Sequence, residues 1–138
     1  MKTTLQKGFE LFYETQDLGE ELEIEVQYAL DGVHAGYAKL RKSGAFLEVE
    51  HFFPKQFLQE QPGRGYGTLA LGETICTLTR DLRLARDSMI LHTETSDQGA
   101  GHLEAIGLSS AMNLGVYVDR ICAYAARKYG FEIENPFD

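Results

Sequence analysis

The sequence predicts an α/β domain of the α+β kind, with a mixed and mostly antiparallel central sheet. Two observations support this class. Three strand-like runs between Glu21 and Phe53 are joined by tight turns, which is typical of an antiparallel meander. The third run is followed by a glycine-rich loop, residues 61–68, and then by a helix-like run, so we expect a strand–loop–helix crossover. The length of 138 residues fits one such domain, residues 1–138.

The first half of the chain is expected to supply the strands of the meander. Apolar and charged side chains alternate after Glu21, as they do in a half-buried strand. Asp31-Gly32 is a strong two-residue hairpin signal, and Ser43-Gly44 provides a second turn. The predicted strands span residues 9–13, 21–30, 34–42 and 45–53.

The second half is expected to supply two helices. Leu71, Ile75 and Leu78 recur at helical spacing after the glycine-rich loop. A longer helical pattern ends before Gly130, a residue type that commonly terminates helices. The predicted elements are a helix over residues 67–80, a strand over 89–93, a loop over 96–107, a helix over 110–129 and a final strand over 131–134.

Composition limits the partners and the location. The net charge of −8 argues against nucleic-acid binding, because phosphate contacts need clustered Lys and Arg. An acidic chain is better suited to a cationic partner such as an amine. No run approaches the roughly 20 apolar residues of a membrane span, so no membrane partner is expected. Cys76 and Cys122 lie in apolar helical patterns and are expected to be buried free thiols, and the N-terminal residues lack a secretory apolar core. These features predict a cytoplasmic protein.

The glycine-rich loop predicts a phosphate-binding site. Glycine lets the backbone approach a ligand closely, and the first N–H groups of a helix, together with its dipole, attract anions. We expect the amides of residues 64–68 to bind a pyrophosphate and the Arg64 side chain to add a charged contact. The alternative is an ordinary turn that leads into a glycine-rich helix start, since a lone glycine motif is weakly specific.

Two motifs in this order resemble the GNAT superfamily of acyl-CoA N-acyltransferases. Arg64-Gly65-Tyr66-Gly67-Thr68 resembles the family's acyl-CoA-binding loop, and Lys128-Tyr129-Gly130-Phe131 resembles its terminal Gly-Phe region. Glu48-Val49-Glu50-His51-Phe52-Phe53 resembles the strand that precedes the loop. The resemblance implies acetyl-CoA, or another acyl-CoA, as cosubstrate and an amine of a small molecule or protein as acceptor. It implies these cofactor-binding residues: Phe52, Phe53, Arg64, Gly65, Tyr66, Gly67 and Thr68.

The resemblance also implies catalytic residues. Family members usually place a carboxylate base on the strand before the loop, where Glu48 and Glu50 are expected to share one face while His51 points the other way. A tyrosine of the last helix often protonates the leaving thiolate, and Tyr124 and Tyr129 flank the corresponding position. The alternatives are glutamates on a solvated sheet face and tyrosines that serve only as packing. No candidate metal ligands occur in a paired spacing such as His-Glu-x-x-His, so no metal site is expected.

Two other hypotheses remain open. Pro62 stands where the family has Gln or Arg, and few residues precede Glu21 to form the helices that most members use for the acceptor. These departures favour a GNAT-like binding or regulatory module without efficient catalysis. The sheet is expected to be incomplete, with exposed edges, which suggests a homodimer. In the third hypothesis the fold is unrelated and residues 63–67 are only a turn.

Overall fold

The computed structural model describes residues 2–4, 8–54, 65–93, 103–104 and 107–138. Within these ranges the chain forms a seven-stranded sheet and two helices of 16 residues each. The elements are β1 (Lys2–Thr4), β2 (Phe9–Asp17), β3 (Glu21–Leu30), β4 (Val33–Ser43), β5 (Phe46–Pro54), α1 (Tyr66–Asp81), β6 (Ile90–Thr93), β7 (Ala111–Asn113) and α2 (Leu114–Tyr129). The predicted α+β class, with its mixed and mostly antiparallel sheet, is confirmed.

The strands lie in the sheet in the same order as in the chain, from β1 to β7. All neighbouring pairs are antiparallel except β5 and β6, which run parallel and are connected through α1. The predicted crossover is therefore present. The predicted hairpin is also present, because Asp31 and Gly32 take φ values of 51° and 81°, which a two-residue turn of this kind requires.

Both helices cover the same face of the sheet. Along β3 the side chains of Ile24, Val26 and Tyr28 are buried, while Glu25 and Gln27 on the other face are exposed. The helices contact each other directly, which two helices on opposite faces of a sheet do not do. The core therefore lies between the helices and one sheet face, and the other face is open to solvent. Below, these are called the helical face and the open face.

Buried polar contacts fix α1 over the meander. The Tyr28 hydroxyl lies 2.5 Å from Thr74 Oγ1, and the Tyr13 hydroxyl donates to Asp81 Oδ2 at 2.8 Å. Burial raises the pKa of Tyr28, and burial followed by the Asp81 hydrogen bond raises the pKa of Tyr13 to about 12. Both phenols therefore stay neutral and keep their hydrogen-bond protons.

Two predicted elements differ in their extent. The first strand continues to Asp17, because its later residues pair with β3. The second helix begins at Leu114 instead of residue 110, since Asn113 caps it by accepting from the Val116 N–H while residues 111–113 pair with β6. Most of the predicted loop over residues 96–107 lies outside the described residues.

The predicted final strand over residues 131–134 is wrong. Gly130 ends α2 at φ 69°, and the N–H of Phe131 turns back to the Ala125 carbonyl. Phe131 and Ile133 are buried, and Ile133 lies against Gly72 of α1. An alternating apolar pattern suits a segment that packs against helices as well as it suits a strand, which is the reason for the error.

Candidate functional site

Gly65 begins the site, because it is the N-cap of α1. Its φ is 74°, a left-handed conformation that favours glycine, and its carbonyl accepts from the Leu69 N–H at 2.9 Å. No described side chain caps this helix end, so the N–H groups of Tyr66, Gly67 and Thr68 lie at the positive end of the helix dipole. Of these, Gly67 is exposed and Thr68 is buried. Arg64 lies outside the described residues.

Tyr129 lies against this helix end. A Cβ atom placed on Gly65 would stand 2.6 Å from the Tyr129 ring, closer than side chains tolerate. Glycine is therefore required at residue 65 for the backbone conformation and also for the approach of the ring. The contact joins the two motifs that carry the resemblance, although they lie in different halves of the chain.

Tyr129 belongs to a cluster at the C-terminal end of α2. Its ring meets that of Tyr124 edge-on at 6.0 Å, and Lys128 Nζ lies 5.5 Å and 5.6 Å from the centres of the two rings. The Arg127 guanidinium lies 5.9 Å from the Tyr124 ring. The pKa of Tyr129 is raised, mainly by burial and to a smaller extent by a hydrogen bond with Tyr124. The pKa of Lys128 is also raised, mainly by its hydrogen bond with Tyr124. The cluster thus combines two phenols with two cations.

Arg127 and Lys128 are not among the site residues that the sequence predicts. Cations in the last turn of a helix are commonly explained by the helix dipole, and these two residues occupy that turn. The signal that connects them with the loop is the packing of Tyr129 on Gly65, a long-range contact that no local pattern contains.

The candidate bases lie on the open face. Glu48 alternates with the buried residues Leu47 and Val49, and its carboxylate lies 3.6 Å from His92 Nδ1. Glu50 lies 3.2 Å from Arg41 Nε. The glutamates therefore point away from the face that carries α1, α2 and the tyrosine cluster.

A β-bulge in β5 corrects the expected orientation of His51. Lys39 pairs with His51 and Leu40 with Val49, so Glu50 is the extra residue of β5. The insertion shifts the alternation by one position. His51 consequently stacks on Phe53, with ring centres 5.6 Å apart, on the same face as Glu48.

The bulge lies where the pairing of the two parallel strands ends. Residues Phe46 to Val49 of β5 pair with Ile90 to Thr93 of β6, and Glu50 follows immediately. Beyond this point β5 continues to Pro54, paired with β4 alone among the described residues. The β6-side edge of β5 is therefore without a described partner from Glu50 onward.

The two predicted phenylalanines divide between the faces. Phe52 packs against the core and meets the Tyr28 ring edge-on at 6.1 Å. Phe53 is 50% exposed, and its ring centre lies 5.3 Å from that of Tyr37 on the open face. The structure thus brings Gly65, Tyr124 and Tyr129 together. Phe53 lies on the open face, as Glu48 and Glu50 do.

The sequence matches no protein-family model, and a search of curated proteins finds no significant match.

In the part of the chain that the structure describes, no three His, Cys, Asp or Glu side chains are placed to hold a metal ion. No helix of that part is long and apolar enough to cross a bilayer.

Proposed function

We propose that this protein is a GNAT-like, acyl-CoA-dependent N-acyltransferase that uses acetyl-CoA, or another acyl-CoA, to acylate an amine of a small molecule or protein. The observation that carries the proposal is the contact between Gly65 and Tyr129. Tyr129, a candidate for protonating the leaving thiolate, lies against the N-terminus of α1, which no described side chain caps.

The helix end suits the diphosphate of the cofactor. The N–H groups of Tyr66, Gly67 and Thr68 supply donors, and the helix dipole adds favourable electrostatics. Lys128, held over the Tyr129 ring, adds a positive charge to a protein that is otherwise acidic. An anion is therefore favoured at this end of α1.

Acyl transfer then needs two proton movements. The amine gives a proton to a base and attacks the thioester carbonyl, so a C–N bond forms as the C–S bond breaks. Tyr124 or Tyr129 gives its proton to the leaving thiolate. The raised pKa of Tyr129 keeps its proton in place at neutral pH. Glu48 accepts the amine proton directly or through His92, or else Glu50 accepts it.

The placement of the bases favours a second function, a GNAT-like binding or regulatory module without efficient catalysis. Glu48 and Glu50 are engaged by His92 and Arg41 on the open face, whereas Tyr124 and Tyr129 belong to the helical side. The acid and the base converge only if the acyl group reaches across the edge of β5 beyond Val49, where that strand has no described partner on the β6 side.

We further propose a cationic acceptor, a cytoplasmic location and the capacity to form a homodimer. The net charge of −8 supports a cationic acceptor. Phe53 and Phe46 are 50% and 57% exposed on the open face. This exposed apolar surface supports a homodimer in which a second copy of the chain covers it.

Two measurements distinguish the enzyme from the binding or regulatory module. Calorimetric titration with acetyl-CoA measures cofactor binding, and chromatography then detects CoA release over a panel of amines. The enzyme hypothesis expects binding and amine-dependent release, with slower turnover in Tyr124→Phe or Tyr129→Phe and in Glu48→Gln or Glu50→Gln. Binding without release supports the module. An absence of binding by the folded wild-type protein contradicts both.

A further inference from the structure

The two cysteines of the chain meet at the interface of α1 and α2. Cys76 Sγ and Cys122 Sγ lie 3.7 Å apart, and both residues are free thiols. Cys76 is buried with 3% of its surface exposed, while Cys122 is only partly buried. Cys122 is therefore the cysteine that solvent partly reaches, and the sulfur of the buried Cys76 lies in contact with its sulfur.

We propose that Cys76 and Cys122 form a redox-reactive dithiol that a hydroperoxide converts into a disulfide between α1 and α2. The proposal is independent of acyl transfer. It rests on the contact of the two sulfur atoms and on the difference in their exposure.

The electrostatics of the pair assign the order of reaction. The hydrogen bond with Cys76 lowers the pKa of Cys122, and the same bond together with burial raises the pKa of Cys76. Cys122 is thus the thiolate that attacks, and Cys76 keeps its proton until the second step.

Each step balances. The Cys122 thiolate attacks one oxygen of the hydroperoxide; the O–O bond breaks, the other oxygen leaves as water or alcohol after taking a proton, and a Cys122 sulfenic acid forms. Cys76 sulfur then attacks the sulfenic sulfur, the S–S bond forms, and the hydroxyl leaves as water with the Cys76 proton. In total, two thiols are oxidised, and the hydroperoxide is reduced.

The disulfide would fix two helices whose ends build the candidate site. Gly65 of α1 contacts Tyr129, and Gly72 lies near Ile121, so the helices run in opposite directions with the cysteine pair farther along the same interface. A covalent link there restrains the separation of α1 and α2 without touching the end at Gly65.

Intact-mass spectrometry of the native protein before and after hydrogen peroxide tests the proposal, with Cys122→Ser and Cys76→Ser as matched variants. We expect the wild type to lose two hydrogen atoms, to lose both titratable thiols, and to regain them with a reductant. Cys76→Ser is expected to gain oxygen atoms or to dimerise through Cys122, whereas Cys122→Ser, which retains only the buried Cys76, is expected to keep its mass. Oxygen addition at Cys122 with a free Cys76 in the wild type would overturn the proposal.

Phenylarsine oxide provides a measurement that requires no oxidation. This trivalent arsenical bridges two neighbouring thiols and releases water, so we expect one equivalent to bind the wild type and resist washing with a monothiol. Both variants are expected to lose this retention. Equal retention by the wild type and the variants, or none by the folded wild type, would contradict a dithiol.

Discussion

The ring of Tyr129 occupies the space that a side chain at residue 65 would fill. A Cβ on Gly65 would stand 2.6 Å from that ring, and the backbone of Gly65 is left-handed. Two motifs that sequence analysis could join only by resemblance are thus in contact.

Gly65→Ala is expected to destabilise the protein more than Gly130→Ala. Both glycines have positive φ at helix ends, which costs alanine roughly 1–2 kcal/mol, but only Gly65 would also collide with a ring. Overpacking adds about 1–3 kcal/mol. Urea unfolding measures both variants. In a Tyr129→Ala background the excess cost at residue 65 should largely disappear, and an unchanged excess would contradict the contact.

Thr74→Val is expected to destabilise the protein more than Tyr28→Phe. Thr74 donates to the Ala70 carbonyl at 2.7 Å, so it accepts from the Tyr28 hydroxyl. Removing Thr74 leaves a buried phenol without its partner, at about 1–3 kcal/mol, whereas removing the phenol costs about 1 kcal/mol. The double variant should recover part of the loss in a chemical unfolding cycle, and strictly additive losses would count against the hydrogen bond.

Tyr13 makes stability depend on alkaline pH. Its pKa in the folded protein is about 12, raised from 10.0 chiefly by burial, so its contribution is present below pH 10 and is lost as the pH rises toward 12. Thermal melts of the wild type should therefore fall more steeply than those of Tyr13→Phe between these values. Parallel curves would indicate an unperturbed phenol.

Asp119 makes stability depend on acid pH. Arg86, which forms a bidentate pair with it, and then Asn135, which donates at 2.8 Å, lower the pKa of this carboxyl. Its stabilising effect is therefore present above the ordinary carboxyl pKa of about 3.9 and is lost as the pH falls below that value. Asp119→Asn should melt below the wild type at pH 7, and the two should converge in acid. A constant difference at all pH values would exclude the ion pair as the cause.

Local chemistry explains which parts of the fold could be predicted. The Asp31-Gly32 turn and the helix stop at Gly130 follow from backbone conformations that neighbouring residues impose, and both are present. The helix start at Leu114 was missed because three residues before it pair with β6, a distant strand. The orientation of His51 was missed because a bulge leaves no mark in an alternating pattern.

The candidate site was only partly predictable for a related reason. Glycines in the loop and tyrosines near Gly130 are visible in the sequence, but their contact depends on how α1 packs on α2. The separation of Glu48 from Tyr129 likewise depends on which sheet face the helices cover. The periodicity of apolar residues indicates that one face of a strand or helix is buried, but it does not indicate which other element covers that face.

Titration calorimetry of acetyl-CoA into the wild type, Gly67→Gln and Gly67→Glu tests the central claim most directly. Gly67 is exposed, and a Cβ there meets no described atom within 4 Å, so we expect both side chains to fit. A glutamate in the first turn also favours the helix. We predict that the Glu variant melts no lower than the Gln variant yet binds acetyl-CoA at least ~10-fold more weakly, since its charge opposes a diphosphate at the helix end. Equal affinity in all three proteins, or no binding by the wild type, would contradict an anion site at the start of α1.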